Sequence, residues 1–207
     1  MKAGSIEVVS DIVHSGTHAG RFTIHPENVF NAQQLRTQVN GPRVSVEEGA
    51  DTFFSFYLYM QDAPKGRCNF FYWEGEPPPG SWNNVMTWWV EPNASGEGTV
   101  VKFGTGNLGV KGVHWQADFT IGAWHQLGMH VRWSESESQG NVKLWWDGQA
   151  VLDKQTQTKG PEETYFCQPG IHRDPHDPSV DTIWLDDLIC GTTLESIQLQ
   201  QPRVAEA

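Results

Sequence analysis

The segment YFCQPGIHRDPHDPSV, residues 165–180, gathers His172, Arg173, Asp174, His176 and Asp177 between a glycine and three prolines. Imidazole exchanges protons near neutral pH and guanidinium grips carboxylates, so these residue types suit acid–base chemistry on an anionic substrate. The same combination recurs elsewhere. Arg36 and Gln38 in LRTQV alternate onto one strand face and offer a bidentate fork beside an amide donor, as a carboxylate-recognising pair would. His130 and Arg132 share a face of their own strand, and His114, beside Trp115, is a further candidate base. A metal clip from His172, Asp174, His176 and Asp177 is disfavoured because the intervening prolines fix the backbone and splay the donors. No cofactor is required by this chemistry. The acids admit a structural Ca²⁺, with Asp186 or Asp187 joined by an N-terminal acid such as Glu7.

The composition restricts what such a site can act on. With 14 Lys and Arg against 25 Asp and Glu, the net charge of -11 argues against a nucleic-acid partner, whose binding rests on a basic face. No run approaches the ~18 consecutive apolar residues of a membrane helix, so no membrane insertion is expected, and no apolar leader with a cleavage site is visible. The 3 cysteines, Cys68, Cys167 and Cys190, have neither disulfide-framework nor zinc spacing and read as free thiols. More telling are 10 Trp and 10 Phe in a polar chain. An indole needs a partner for its N–H, so some of these rings are expected to line a groove and stack on sugar rings. Trp73, Trp88 and Trp145 are the stacking candidates, whereas Trp133 and Trp146 read as core.

The elements that must position these residues are short strands. Turn signals such as HSGTHAG, DAPKG, PNASGEG and KGPEE recur at short intervals, and nothing long has helical periodicity. DTFFSFYLYM puts Phe54, Phe56, Leu58 and Met60 on one core-facing side. AWHQLGMHVRW puts His125, Leu127, Met129, Val131 and Trp133 together, with His130 and Arg132 opposite, facing water or a groove. Asp147-Gly148 is a type I′ hairpin signal in NVKLWWDGQAVLD. The fold class is therefore all-β, with residues 1–195 as a single domain and 196–207 as a C-terminal tail.

FFSFYLYM, FFYWEGE, WHQLGMHVRWS, GNVKLWWDGQAV, a Gly-Ile-aromatic-Arg-like segment and IWLDDLICGTT follow one another in that order. Together they resemble the polysaccharide lyases of the heparin lyase I and glucuronan lyase type. The resemblance spans roughly residues 5–195. It implies a two-sheet antiparallel β-jelly roll of the concanavalin type, a concave sheet that holds a polysaccharide or oligosaccharide, and action outside the cell or on a cell or virion surface. The resembled pattern is Lys-x-Gly-Ile-Tyr-Arg, with a proton-transferring Tyr near a Lys. Here CQPGIHR places Cys167 near the Lys and His172 at the Tyr, while Gly170, Ile171 and Arg173 fit.

Two readings of the site follow. In one, the chain cleaves a uronate-containing glycan by β-elimination: Arg36 and Gln38 hold the carboxylate, His130 or His172 moves the proton, and Arg173 orients the substrate. In the other, the same face binds glycans without cleaving them. A structural or decoration protein of a particle or cell surface is the third expectation, from a different class.

Overall fold

The computed structural model describes residues 4–27, 29–31, 34–41, 43–76, 83–106, 109, 111–161, 164–174 and 176–200. Among the described residues fifteen strands run in chain order: β1 Ser5–Val9, β2 Ala19–Ile24, β3 Val29–Asn31, β4 Gln34–Gln38, β5 Val44–Ser45, β6 Asp51–Met60, β7 Cys68–Glu76, β8 Asn83–Pro92, β9 Thr99–Thr105, β10 Gly112–Phe119, β11 Trp124–Arg132, β12 Asn141–Trp146, β13 Gln149–Gln155, β14 Thr164–Arg173 and β15 Asp181–Gly191. They form two antiparallel sheets. The first is 7-stranded, in the order β1-β2-β15-β6-β11-β12-β13; the second is 8-stranded, in the order β10-β9-β8-β7-β14-β4-β3, with β5 pairing β14 off that path. This is the expected two-sheet jelly-roll sandwich.

The core lies between the sheets and is built by strand alternation. From β6 it takes Phe54, Phe56, Leu58 and Met60; from β11 it takes Leu127, Met129 and Val131; from β12, Val142, Leu144 and Trp146. The second sheet answers with Phe71, Trp73, Trp88, Phe103, Tyr165 and Ile171. The rings interlock edge to face, as Trp73 does with Trp133 at a centroid distance of 5.4 Å. Asp147 and Gly148 both take positive φ, 48° and 79°, which closes the expected type I′ hairpin between β12 and β13.

Residues 196–200, expected in the tail, instead lie against the outer face of the first sheet. Gly128 and Ser55 face each other across β11 and β6, and their small side chains leave a shallow trough there. Leu199 lies over Gly128, where a Cβ would come within 2.5 Å of its Cδ2, and Ile197 is fully buried. The segment is then fixed by polar bonds: Ser55 Oγ donates to the Ile197 carbonyl (2.7 Å), Gln126 Nε2 to the Gln198 carbonyl (3.0 Å), and the Gln200 amide to Gln126 Oε1 (2.6 Å). Residues 201–207 lie outside the described residues.

Candidate functional site

The outer face of the second sheet is organised in rows, because residues directly opposite one another on neighbouring strands point the same way. One row runs Arg36 on β4, His172 on β14, Asn69 on β7, Trp89 on β8 and Lys102 on β9. The next runs Gln168, Tyr72, Thr87 and Gly104. A base, cations, amides and a phenol thus meet on one face.

The register that creates this row depends on a bulge. Pairing of β14 with β7 shifts between Pro169 and His172, so Gly170 and Ile171 absorb an extra residue. Gly170 has φ 126°, and a Cβ there would lie 2.4 Å from the Thr37 carbonyl oxygen. Only glycine lets β14 approach β4 this closely and bring His172 opposite Arg36.

Burial tunes the groups. His172 is half-buried, and its conjugate acid is lowered to about 4, first by burial and then by the positive charges of Arg36 and Arg67. At neutral pH it is an uncharged imidazole, and its buried Nδ1 has no hydrogen-bond partner among the described residues. The ring lies 5.8 Å from that of Tyr72. Tyr72 is 1 % exposed, and burial raises its hydroxyl above the ordinary range, so it stays protonated. That hydroxyl donates to Gln38 Oε1 (3.1 Å), which fixes the amide of Gln38, whose buried Nε2 is also without a partner among the described residues. Asn69 Nδ2 donates to the His172 carbonyl (2.9 Å) and fixes the imidazole's backbone. Glu74, further along β7, has its carboxyl raised by burial, while Arg36 and Arg43 pull it back down.

Arg36, Gln38 and His172 are therefore brought together, and the other sequence candidates are not. His130 lies on the outer face of the opposite sheet, stacked on Phe53 (4.3 Å) and bonded through Nε2 to Asp51 (2.7 Å); Arg132 reaches the same Asp51 at 3.4 Å. Their alternation is as expected, and it puts them on the other sheet, away from Arg36 and His172. Arg173 neighbours His172 and so points inward. It is 2 % exposed and held by Asp181, Ser179 and Asp177, a structural clamp rather than a substrate contact. His114 is the extra residue of a bulge between Val113 and Trp115, and its Nε2 meets Thr105 Oγ1 at 2.7 Å beside core Phe103.

The stacking tryptophans also change. Trp73 and Trp88 are buried in the core, at 4 % and 0 % exposure, and Trp145 is half-buried on the outer face of the first sheet, beside Gly128. Register shifts in the β7–β8 ladder, at Asn69/Phe71 and Trp73/Glu74, reset the inward–outward phase. On the face that carries Arg36 and His172 the indole is Trp89. Tyr72 and Trp89 escaped the sequence reading because each sits in a run of consecutive aromatics, FFYW and WW, where alternation has no polar residue to mark the outer side.

The acids proposed for Ca²⁺ do not assemble. Asp186 accepts from the backbone amides of His14 and Ser15 (2.9 and 3.2 Å), Asp187 bonds His14 Nδ1 and Ser15 Oγ (2.7 and 2.6 Å), and Glu7 pairs with Arg21 (2.6 Å) on the far side of β2. Among the described residues no group of three or more His, Cys, Asp or Glu side chains is placed to hold a metal ion. Asp174 and Asp177 instead cap the backbone of their own loop, at the amides of His176 and Ser179.

The polysaccharide lyase family model matches residues 1–189. Nothing among curated proteins matches the chain. Among solved structures it is similar to an endo-β-1,4-glucuronan lyase from the fungus Trichoderma reesei, at 18% identity and TM-score 0.75, covering 95% of this chain and 90% of that one. A family 7 alginate lyase solved with substrate is similar at 11% identity and TM-score 0.66, over 90% and 81% of the two chains. A β-glucanase catalytic domain from Podospora anserina is similar at 11% identity and TM-score 0.59, over 93% and 81%. At these identities the likeness is one of fold, and the fold alone carries different chemistries. The family match spans nearly the whole chain, and with the two-sheet fold it settles kinship: the chain belongs to the polysaccharide lyase family.

Proposed function

We propose that the chain cleaves a uronate-containing polysaccharide by β-elimination in the groove of the second sheet. One observation carries this reading: a neutral imidazole, His172, sits in register beside the cationic Arg36 and the donor-bearing Gln38. β-Elimination needs these parts. Arg36 and Gln38 Nε2 take the uronate carboxylate and lower the cost of the carbanion at C5. His172, uncharged at neutral pH, accepts the C5 proton. The C5–H electron pair forms the C4–C5 double bond as the C4–O4 bond breaks. Tyr72, held protonated, gives its proton to the leaving O4, and Asn69 holds the His172 carbonyl. The fungal glucuronan lyase and the alginate lyase, similar in fold, are named for action on polyuronates, which supports the substrate class. The same reading places the protein's work outside a cell or on a surface, where such polymers occur.

The test is ultraviolet absorbance of the unsaturated product, followed on glucuronan, alginate and heparin-type chains. A rise that His172→Ala abolishes, in a variant of unchanged circular dichroism, supports the assignment; turnover surviving in that variant overturns it.

A second reading, a glycan-binding module without turnover, is favoured by one feature. Where the resembled lyases have Tyr and Lys, this chain has His172 and Cys167, and Cys167 is turned toward the core with its thiol raised to about 11 by burial. Glycan binding with a flat absorbance trace across the panel would favour it.

A further inference from the structure

Beyond the Arg36 and His172 centre, the same sheet carries a recess of about 250 Å³ lined by Arg67, Thr87, Trp89, Gly104, Thr105 and Val113. Gly104 lets the Gly112 backbone and the Trp89 ring approach closely: a Cβ there would lie 2.5 Å from the Gly112 carbonyl oxygen and 3.1 Å from the Trp89 ring. Trp89 is 5 % exposed, and its Nε1 donates to Glu91 (3.1 Å), so the indole is fixed. Over that indole lies the Arg67 guanidinium, 3.9 Å from the ring centroid. Its Nε donates to Asn69 Oδ1 (3.0 Å), the residue that also holds His172.

Arg67 differs from the other cations that flank the groove. Lys102 is paired with Glu91 at 2.7 Å and Arg43 with Glu76 at 2.6 Å. Arg67 is exposed and makes no salt bridge among the described residues, although the charge of Glu91 acts on it at longer range. A guanidinium stacked on a fixed indole and tethered at Nε has lost much of its rotamer freedom, and Arg67 lines the recess. That is a preorganised fork for a second carboxylate, in a chain whose net charge of -11 would otherwise repel one.

We infer that Arg67, held on Trp89, forms a second carboxylate subsite that selects chains carrying uronates in succession over chains in which a lone uronate is flanked by neutral sugars. The inference rests on the proposed groove function and extends it to substrate class. Arg36 and Arg67 flank β14 and β7, so the two carboxylates would be separated by roughly two strand spacings or more, on the order of 10 Å. A single sugar cannot satisfy both sites, whereas an uninterrupted polyuronate can.

The experiment measures binding by calorimetry to a size-defined polyuronate and to the same chain with its carboxyl groups reduced to alcohols. The full-length protein is used with His172→Ala to prevent cleavage, with and without Arg67→Ala and Arg67→Lys. Arg67→Ala is expected to weaken binding of the acidic chain about tenfold and to leave binding of the reduced chain unchanged. Arg67→Lys should restore part of the loss, and the gap should shrink as salt is raised. Equal loss on both chains would mean that Arg67 acts only by packing Trp89, and unchanged affinity would mean that it makes no contact; either overturns the subsite. Both results would leave the cleavage reading standing, because the ultraviolet assay on unmodified protein reads that separately. Failure to bind either chain, or binding both equally, would overturn the subsite and remove the acidic substrate class with it.

Discussion

His172 and Arg36 face each other across the β14–β4 ladder, so an imidazole whose Nδ1 has no hydrogen-bond partner among the described residues shares one sheet face with a positive charge. Charge and burial act in the same direction, and both keep the ring neutral. A base that must stay unprotonated in acid suits the proposed action on acidic sugars.

The pH profile of turnover follows from that pairing. Since His172 titrates near 4, the acid limb of kcat/KM should fall at about that pH, well below the 6.5 of an ordinary histidine. An acid limb centred near 6.5 would exclude His172 as the base. Arg36→Ala should move the limb upward while also lowering kcat/KM on the order of 10²-fold, through loss of the carboxylate contact.

Stability should carry the same signature. The unfolded chain protonates His172 near 6.5 and the folded chain near 4, so between those values the unfolded state binds more protons. Unfolding free energy should therefore fall as pH drops through this window, by up to about 3 kcal/mol, and be insensitive to this group outside it. Urea melts of wild type and His172→Gln at pH 7 and pH 4.5 test this: the variant should show a smaller loss.

Tyr72 is assigned to the leaving-group proton. Tyr72→Phe removes the hydroxyl and keeps the ring, so turnover should fall on the order of 10²-fold with little change in melting temperature. A variant retaining full turnover would show that another group protonates O4.

The two arginine neighbourhoods of the sheets predict opposite phenotypes. Arg173→Met leaves Asp181 buried without its cation and should cost about 3–5 kcal/mol of stability, read as a lower denaturation midpoint. His130→Ala, on the outer face of the other sheet, should leave turnover unchanged.

Gly170 holds the register on which the site depends. Gly170→Ala places a Cβ against the β4 backbone at positive φ, and a loss of at least about 2 kcal/mol is expected, together with loss of turnover. A fully stable and active variant would mean that β14 does not need this close approach.

Much of the architecture was legible in the sequence, for physical reasons. Alternation in β6, β11 and β12 is readable because residues such as Ser55, His130 and Lys143 mark the outer side, and the apolar members of each inward set are in the core. Arg36 and Gln38 were legible as a pair for the same reason, and Asp147-Gly148 because few residues tolerate its turn. What failed was phase. In FFYW and WW every residue is aromatic, so a bulge rather than the composition decides which ring faces out, and Trp89 and Tyr72 take the places expected of Trp73 and Trp88.

The sequence by itself determined the sandwich, the inward faces of its clean strands and the residue types available for carboxylate and proton chemistry, because these depend on local periodicity. Only the tertiary structure decided which sheet each face belongs to. That placed His130 and Arg132 away from the groove, turned Arg173 into a buried clamp, and set His172 opposite Arg36 through a glycine bulge. Strand order, register shifts and desolvation are properties of long-range pairing, and no window of sequence contains them.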